Sequence, residues 1–474
     1  MRASLLLFIA FVVGCWNPAA HLLHAQEGSG DSARLSDEGW INKLVDDIMS
    51  RVNNQAMEYI GEREPAPVER EMAVREYEEQ TVQDRTDVSR YALVPSPTFQ
   101  YYPLRRYELN WISRPANVSD VILRYNRVEG IYVGLGSPKK YYWDGRQHYS
   151  IFGSVGWGIK THRWRYHLGF DRWFGNTYRF EVGTEGHSFT DTKDDWRVSE
   201  GENTVTALFV RQDYRDYFGR EGVSFHIAQY LGSALRFRMD YLVDTYKSLS
   251  RNTGWAIFGG DNQFRSNPAV GEGRMRSVVV GGDFMTIDEN RHRLRGWNAY
   301  ASAEFAGGWL GGDFEFNRYL LDVRLYQPIS SFDNINMRLR VGSSSGDLPL
   351  QKSFELGGLG TMPAYRFKEY SGNRMLVANV EYMVSGRILN ELNFWPDWLF
   401  KRINLILFAD AGWTRTAVAG SGFTEGFDDF AVRDIKSDLG LGIGSRDGVL
   451  RLIFAWRTDR GAPVRVSLRL SRPF

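Results

Sequence analysis

Residues 335–341 read Ile-Asn-Met-Arg-Leu-Arg-Val, so apolar side chains alternate with asparagine and arginine along the whole stretch. This alternation indicates a β-strand, because successive side chains of a strand point to opposite faces of the sheet. The same pattern recurs at residues 319–325, 235–244, 450–457 and 464–470. Each of these strands therefore has one apolar face and one face that carries full charges.

Strands of this kind fit two classes of protein. In a soluble sandwich the charged face meets water and the apolar face packs on a second sheet. In a transmembrane barrel the apolar face meets lipid and the charged face lines the lumen. Strands of about ten residues, with aromatic residues near their ends and about sixteen in number, favour the barrel. We predict an all-β fold, a closed 16-stranded antiparallel transmembrane β-barrel at residues 118–474, because an open edge in lipid would leave backbone groups unpaired.

The identity of one strand stays open in this count. It is either Thr204–Gln212 or Trp255–Gly260. The second choice applies if Val205–Tyr217 is a helix capped near Ser199. The similar stretches Asn126–Gly130 and Gly219–Gly222 favour that choice, since they resemble equivalent strand entries on one side of the membrane.

Composition excludes several other classes of protein. The chain has 474 residues, 58 Lys and Arg against 57 Asp and Glu, and one cysteine. Balanced charge argues against a nucleic-acid partner, whose binding surface would be basic. A single cysteine excludes a disulfide scaffold and cysteine-based metal clusters.

The N-terminus carries an export signal. Arg2 precedes the short apolar run Leu5–Val13, and Ala25 ends a small-residue cleavage site, so residues 1–25 are predicted to be a signal peptide. Acylation of Cys15 in a lipoprotein signal is the alternative. Residues 26–117 are predicted to be a short periplasmic segment, mostly helical or disordered, with one helix at Leu35–Ile60 followed by a charged linker.

The C-terminal half contains several motifs in a fixed order. They are Leu-Gly-Gly-Leu-Gly-Thr at 356–361, Met-Pro-Ala-Tyr-Arg-Phe at 362–367, the strand at 374–384, Phe-Ala-Asp-Ala-Gly-Trp at 408–413 and the terminal Phe474. From about residue 120 onward, and most closely at 351–474, the chain resembles the BamA/TamA family of outer-membrane assembly barrels, also called bacterial surface antigens. In that family the glycine-rich stretch opens a loop that folds back into the lumen. The corresponding loop motif comprises Gly357, Gly358, Gly360, Met362, Pro363, Ala364, Tyr365 and Arg366.

The resemblance implies how this loop is held. In the family an Arg-Gly-aromatic motif at its tip pairs with acids on neighbouring strands, and Glu381 and Asp410 are the matching luminal receptors here. The aromatic is kept as Tyr365, but proline and alanine replace the arginine and glycine. We hypothesise that Arg366 substitutes as the cation. The alternative is that both acids pair with luminal arginines of other strands.

The resemblance also implies a function. We expect an outer-membrane protein without enzymatic activity and without a cofactor. Its expected role is to assist insertion or translocation of proteins or lipids. This would occur through a weak seam between the first and last strands of the barrel. Outer-membrane lipids, lipopolysaccharide and client outer-membrane proteins are the expected partners, and Phe474 matches a C-terminal assembly signal. Residues 26–117 show no clear POTRA pattern, which weakens the inference of client insertion. A passive or gated pore is the main alternative.

An enzyme acting on lipid is the third possibility. Ser224 and His226 share the luminal face, but the sequence places no third group beside them, so no catalytic residue is predicted. His162 and His167 are too few for a metal site, and none is predicted. Asp194 and Asp195 are expected in a solvated acidic turn.

Overall fold

The computed structural model describes a large part of the region predicted to form the barrel. The described residues are 120–137, 149–175, 180–231, 234–258, 263–290, 293–330, 332–388, 400, 402–418, 420–428, 430–445 and 448–470. The predicted signal peptide, the helix expected at 35–60, the charged linker and Phe474 lie outside these residues. No helix within the described ranges combines the length and the apolar character needed to cross a membrane.

One large antiparallel sheet dominates the fold. Its strands are β1 Asp120–Asn126, β2 Gly130–Ser137, β3 Tyr149–Gly158, β4 Arg163–Phe174, β5 Phe180–Thr192, β6 Tyr217–Leu231, β7 Leu235–Ser248, β8 Gly273–Met285, β9 Arg293–Ala306, β10 Phe316–Pro328, β11 Asp333–Gly346, β12 Arg374–Ser385, β13 Ile403–Arg415, β14 Lys436–Ser445, β15 Arg451–Arg457 and β16 Arg465–Arg469.

Shorter elements lie in the connections. Helix α1 is Glu200–Val210, between β5 and β6. The strand Asp288–Asn290 continues β8 along β9. The pair Phe354–Leu356 and Tyr370–Gly372 lies between β11 and β12. The 3₁₀ helices of the described connections are Gly308–Leu310, Leu350–Lys352 and Val432–Asp434.

The sheet is a meander in which each strand pairs with the next along the chain. Within the described part of the chain, no ladder joins β1 to β16. The connections 193–216, 249–272, 347–373 and 416–435 all follow odd-numbered strands, so these long connections share one rim. Both ends of the meander therefore lie at the opposite rim.

The prediction of the remaining strand was wrong, because that strand is β1. Thr204–Gln212 overlaps α1, where the Ser199 hydroxyl accepts a hydrogen bond from the Glu202 N–H at 3.2 Å. The alternative was right about a helix capped near Ser199, but the helix spans Glu200–Val210 and not Val205–Tyr217. Described residues of Trp255–Gly260 form no strand. β1 was missed because Val, Ile and Leu follow one another in its sequence and hide the alternation.

The parity argument holds for the two similar stretches. Asn126–Gly130 contains the turn that leads into β2, and Gly219–Gly222 lies near the start of β6. Four strands separate them, so both lie at the same rim, which agrees with the exclusion of Thr204–Gln212 as a strand.

Burial is inverted relative to a soluble sheet, as the alternation predicts. In β7 the side chains of Phe237 and Met239 are exposed, whereas Arg236, Arg238 and Asp240 between them are buried. The buried face of the sheet, which carries these ions, is called the charged face below. Its arginines and acids lie too far from water to remain unpaired, so they neutralise one another.

One group of these ionic contacts surrounds Asp322 on β10. Arg324 Nε lies 3.2 Å from one carboxylate oxygen, and Arg338 Nη2 lies 2.5 Å from the other. Arg340 also pairs with the second oxygen. All four side chains are almost completely buried, so one carboxylate is shared by three guanidinium groups on two neighbouring strands.

Replacing Asp322 with asparagine should destabilise the fold by about 3–5 kcal/mol, because three buried guanidinium groups lose their shared counter-charge. Urea unfolding of the purified protein in lipid vesicles measures this loss. The matched control is Asp434→Asn, whose carboxylate is exposed and whose effect should stay within about 0.5 kcal/mol. Equal stabilities of the two variants would contradict the role given to Asp322.

Candidate functional site

Residues 347–373, which connect β11 to β12, form a segment called the inward loop. Its base is the short pair Phe354–Leu356 and Tyr370–Gly372. Its tip packs into a buried apolar cluster on the charged face, where Leu356, Met362, Ala364 and Tyr365 contact residues such as Met375, Val377 and Ala455 of the sheet. The fold-back implied by the glycine-rich motif is therefore present.

The glycines of the loop motif have a conformational reason. Gly357, Gly358 and Gly360 have φ values of +104°, +77° and +81°, which L side chains rarely adopt. Gly360 also approaches Arg197 so closely that a Cβ would contact the arginine backbone. The glycine-rich stretch lets the chain reverse and pack tightly at the base of the tip.

Backbone groups of the tip hydrogen-bond to the sheet. The Ala364 N–H donates to Asp438 Oδ2 on β14 at 2.7 Å. Asn379 on β12 donates to the Thr361 carbonyl at 2.7 Å, and Arg338 on β11 donates to the Gly360 carbonyl at 3.4 Å. These bonds satisfy buried polar groups and fix the tip relative to three strands.

Tyr365, the retained aromatic, connects the tip to the last three strands. Its hydroxyl donates to the Ser437 carbonyl on β14 at 3.1 Å. The Arg457 guanidinium of β15 lies 3.9 Å from the centre of its ring. Its carbonyl accepts a hydrogen bond from Arg465 of β16 at 3.1 Å. A single buried side chain and its own backbone therefore tie the loop to β14, β15 and β16.

The hypothesis that Arg366 is the pinning cation was wrong. Arg366 is exposed, and the ion pairs of the described residues do not include it. The cation is Lys368, whose Nζ lies 2.7 Å from Asp194, 2.5 Å from Asp216 and 3.0 Å from Glu355. Lys368 has a positive φ of 56°, and its ammonium is buried among the three carboxylates.

Glu381 and Asp410 lie on the charged face as predicted, but neither receives a cation from the loop. Glu381 pairs with Arg451 and accepts a hydrogen bond from Asn336 at 2.9 Å, which agrees with the alternative of luminal arginines. Asp410 accepts a hydrogen bond at 2.8 Å from Asn379, the residue that holds the Thr361 carbonyl. Asp410 therefore supports the loop through an amide and not through a charge pair.

Residues 193–216, between β5 and β6, form a second inserted segment, called the helical segment because it contains α1. It supplies Asp194 and Asp216 to Lys368, while its Lys193 lies 2.9 Å from Glu355. Burial lowers the pKa of the Lys368 ammonium, but the surrounding carboxylates outweigh burial and raise that pKa above its ordinary value. The expected solvated turn at Asp194 is thus a buried ionic junction.

Helix α1 contacts both edge strands of the meander. Glu200 Oε1 lies 3.2 Å from Arg124 Nη1 on β1. Glu202 Oε1 lies 2.8 Å from Arg469 Nε on β16 and accepts a hydrogen bond from the Leu470 N–H at 3.0 Å. Glu202 is fully buried. Two acids in the first turn of one helix therefore bind the first and the last strand through side chains.

The residues considered for catalysis do not assemble into a triad. Ser224 and His226 are both buried on the charged face, but the hydrogen bonds found in the described residues do not join them. The His226 ring instead contacts Glu181. His162 is exposed in the turn after β3, and His167 lies 2.6 Å from Glu185.

Sequence reasoning missed Lys368, Arg197 and Glu202. Lys368 lies two residues beyond the expected cation, and the family motif draws attention away from it. Arg197 donates to the Gly357 carbonyl at 3.4 Å. Contacts between the two inserted segments leave no periodic signal, since each partner lies about 160 residues away in the sequence.

Replacing Lys368 with alanine should loosen the inward loop, because three carboxylates lose their shared cation and repel one another. Hydrogen exchange of residues 354–372 in the purified protein should accelerate about tenfold or more. Arg366→Ala, two residues away and exposed, is the matched control and should leave exchange unchanged. A larger effect from Arg366→Ala than from Lys368→Ala would restore the original hypothesis.

Family comparisons divide the chain into two parts. Residues 102–276 match the C-terminal domain of a family of unknown function, DUF5686, and residues 286–468 match the Omp85 superfamily domain. The outer membrane protein assembly factor BamA of Nitratidesulfovibrio vulgaris is 23% identical over 291 residues, which are 56% of this chain and 33% of that protein. The chain thus spans about a third of the length of this curated relative.

Solved structures with similar architecture include BamA from Haemophilus ducreyi lacking POTRA domains 1–3, with a TM-score of 0.45 at 11% identity over 74% of this chain and 69% of that one. CdiB from Acinetobacter baumannii gives a TM-score of 0.38 at 9% identity, and the match covers 74% of this chain and 59% of CdiB. The Omp85 match covers β9 to β16 and includes the inward loop. The C-terminal part of the chain, residues 286–468, is therefore an Omp85 superfamily domain of the BamA/TamA type.

Proposed function

We propose that the sheet closes into a 16-stranded transmembrane barrel with a weak seam between β1 and β16, and that this barrel assists insertion or translocation of proteins or lipids at the outer membrane. The observation that carries the proposal is that α1 contacts both edge strands through Glu200 and Glu202. An edge held by side chains presents backbone donors and acceptors to an incoming strand.

The inward loop fits this role because it stabilises one side of the seam. Its tip contacts β11, β12, β14, β15 and β16. When the seam opens, these strands move as a unit, while β1 is released by breaking its contacts with α1. Client polypeptides, outer-membrane lipids and lipopolysaccharide are the proposed partners, and the process involves no covalent step.

The name of the Nitratidesulfovibrio relative supports assembly as the activity, because that protein is an outer membrane protein assembly factor. A passive or gated pore is the competing function, in which the paired ions of the charged face would set ion preference. The two functions make different demands on the inward loop. Assembly requires a loop that holds the strands beside the seam, whereas a steady pore does not require it.

Depletion of the protein in the bacterium that makes it should lower the amount of other barrel proteins in the outer membrane. The reason is that these proteins would lose the factor that assists the pairing of their strands during insertion. Quantitative proteomics of the outer-membrane fraction measures this. Re-expression of the Arg366→Ala variant should restore those levels, whereas Lys368→Ala, produced in equal amount, should restore them only in part.

Planar-bilayer recordings distinguish the pore. A steady conductance that persists after residues 351–373 are deleted, together with unchanged levels of other barrel proteins on depletion, would favour the pore and refute assembly. Loss of lipid asymmetry without loss of barrel proteins would identify lipids as the transported class.

A further inference from the structure

Three potential metal ligands lie together on neighbouring strands of the charged face. Asp171 is on β4, Glu181 on β5 and His226 on β6. In the strand register, Gly183 of β5 stands opposite both Asp171 and His226. Glu181 precedes this glycine by two residues and therefore points to the same face of the sheet. All three ligand side chains are at least 98% buried.

The distances between the donor atoms fit a metal site. His226 Nε2 lies 3.1 Å from Asp171 Oδ1 and 2.9 Å from Glu181 Oε1. The three donor atoms all lie within 4.8 Å of one another. In a tetrahedral site with bonds of about 2.0–2.1 Å, two ligand atoms stand about 3.3 Å apart. Small side-chain adjustments would therefore bring all three atoms onto one ion.

Gly183 leaves the space that the cluster occupies. A Cβ atom at this position would clash with Asp171 Oδ1 and with the imidazole of His226. The φ of Gly183 is not in the positive range that favours glycine, so its backbone conformation does not by itself require glycine. The missing side chain is needed for the neighbouring ligands to converge across β5.

Glu181 is also oriented by residues outside the triad. Trp173 Nε1–H and the Tyr230 hydroxyl each donate to Glu181 Oε2 at 2.8 Å. These two bonds occupy one carboxylate oxygen and turn the other, Oε1, toward His226. Hydrogen bonds of this kind hold metal-ligating carboxylates in position in metalloproteins.

We propose that Asp171, Glu181 and His226 form a binding site for a divalent transition metal ion, with zinc as the representative ion. Two carboxylates balance the charge of a divalent cation, and an imidazole nitrogen favours zinc, copper, iron or nickel over magnesium or calcium. Three protein ligands leave a fourth position open to water or to a further ligand. The site joins β4, β5 and β6 close to the end of β4, the start of β5 and the end of β6.

Zinc titration of the full-length protein, purified in detergent and stripped with a chelator, tests the proposal. One zinc ion per chain should bind, as measured by competition with a chromophoric chelator, and His226→Ala should abolish this binding. His162→Ala, which removes an exposed histidine, is the matched control and should bind zinc like the parent protein. Heat-modifiable migration in gels verifies that each variant is folded.

Two further variants separate metal binding from folding. Tyr230→Phe removes one hydrogen bond to Glu181 and should weaken zinc binding about 10–100-fold without unfolding the protein. Gly183→Ala should weaken it further by closing the space between the ligands. A folded parent protein that binds no zinc, or an affinity unaffected by His226→Ala, would show that the three side chains form a hydrogen-bonded cluster only. Equally tight binding of Mg²⁺ would overturn the transition-metal assignment.

Discussion

The rest of the structure depends on the neutralisation of charges on one buried face of the sheet. Apolar side chains are exposed on the opposite face, so the arginines and acids of the charged face must find partners among themselves. The Asp322 carboxylate forms ion pairs with three arginines, and the Glu381 carboxylate forms an ion pair with Arg451. Because opposite charges must meet across neighbouring strands, a slip of register by one residue would both expose ions to lipid and bury apolar side chains without partners.

The same requirement explains why two connections fold back onto the charged face. The helical segment and the inward loop bring Lys368, Arg197 and several acids into a space where isolated charges would be costly. They pair with each other and with the sheet, so the interior is filled by ions that belong to distant parts of the sequence. In this arrangement the loop is held by the Lys368 ammonium among three carboxylates, whereas the exposed Arg366 forms no ion pair with the described residues.

Much of the fold could be predicted from the sequence, because alternation with a period of two is a local signal. It identified fifteen of the sixteen strands and the face on which Arg338, Glu381 and Asp410 lie. It failed for β1, where consecutive apolar residues hide the pattern. The partners of charged side chains could not be predicted, since Lys368 and Asp194 are separated by 174 residues and nothing local specifies their contact. His226 likewise depends on strand register, which places Gly183 beside it.

The position of α1 has a mechanical consequence. Its first turn carries both acids that reach the edge strands, and the residues on either side of the helix, Asp194 and Asp216, are bound to the same lysine of the inward loop. A short helix moves as a rigid body, so a displacement that frees one edge also strains the other. In the proposed opening of the seam, both edge contacts of α1 would therefore respond to the same displacement, and a ligand that shifts the inward loop would act on β1 and β16 together.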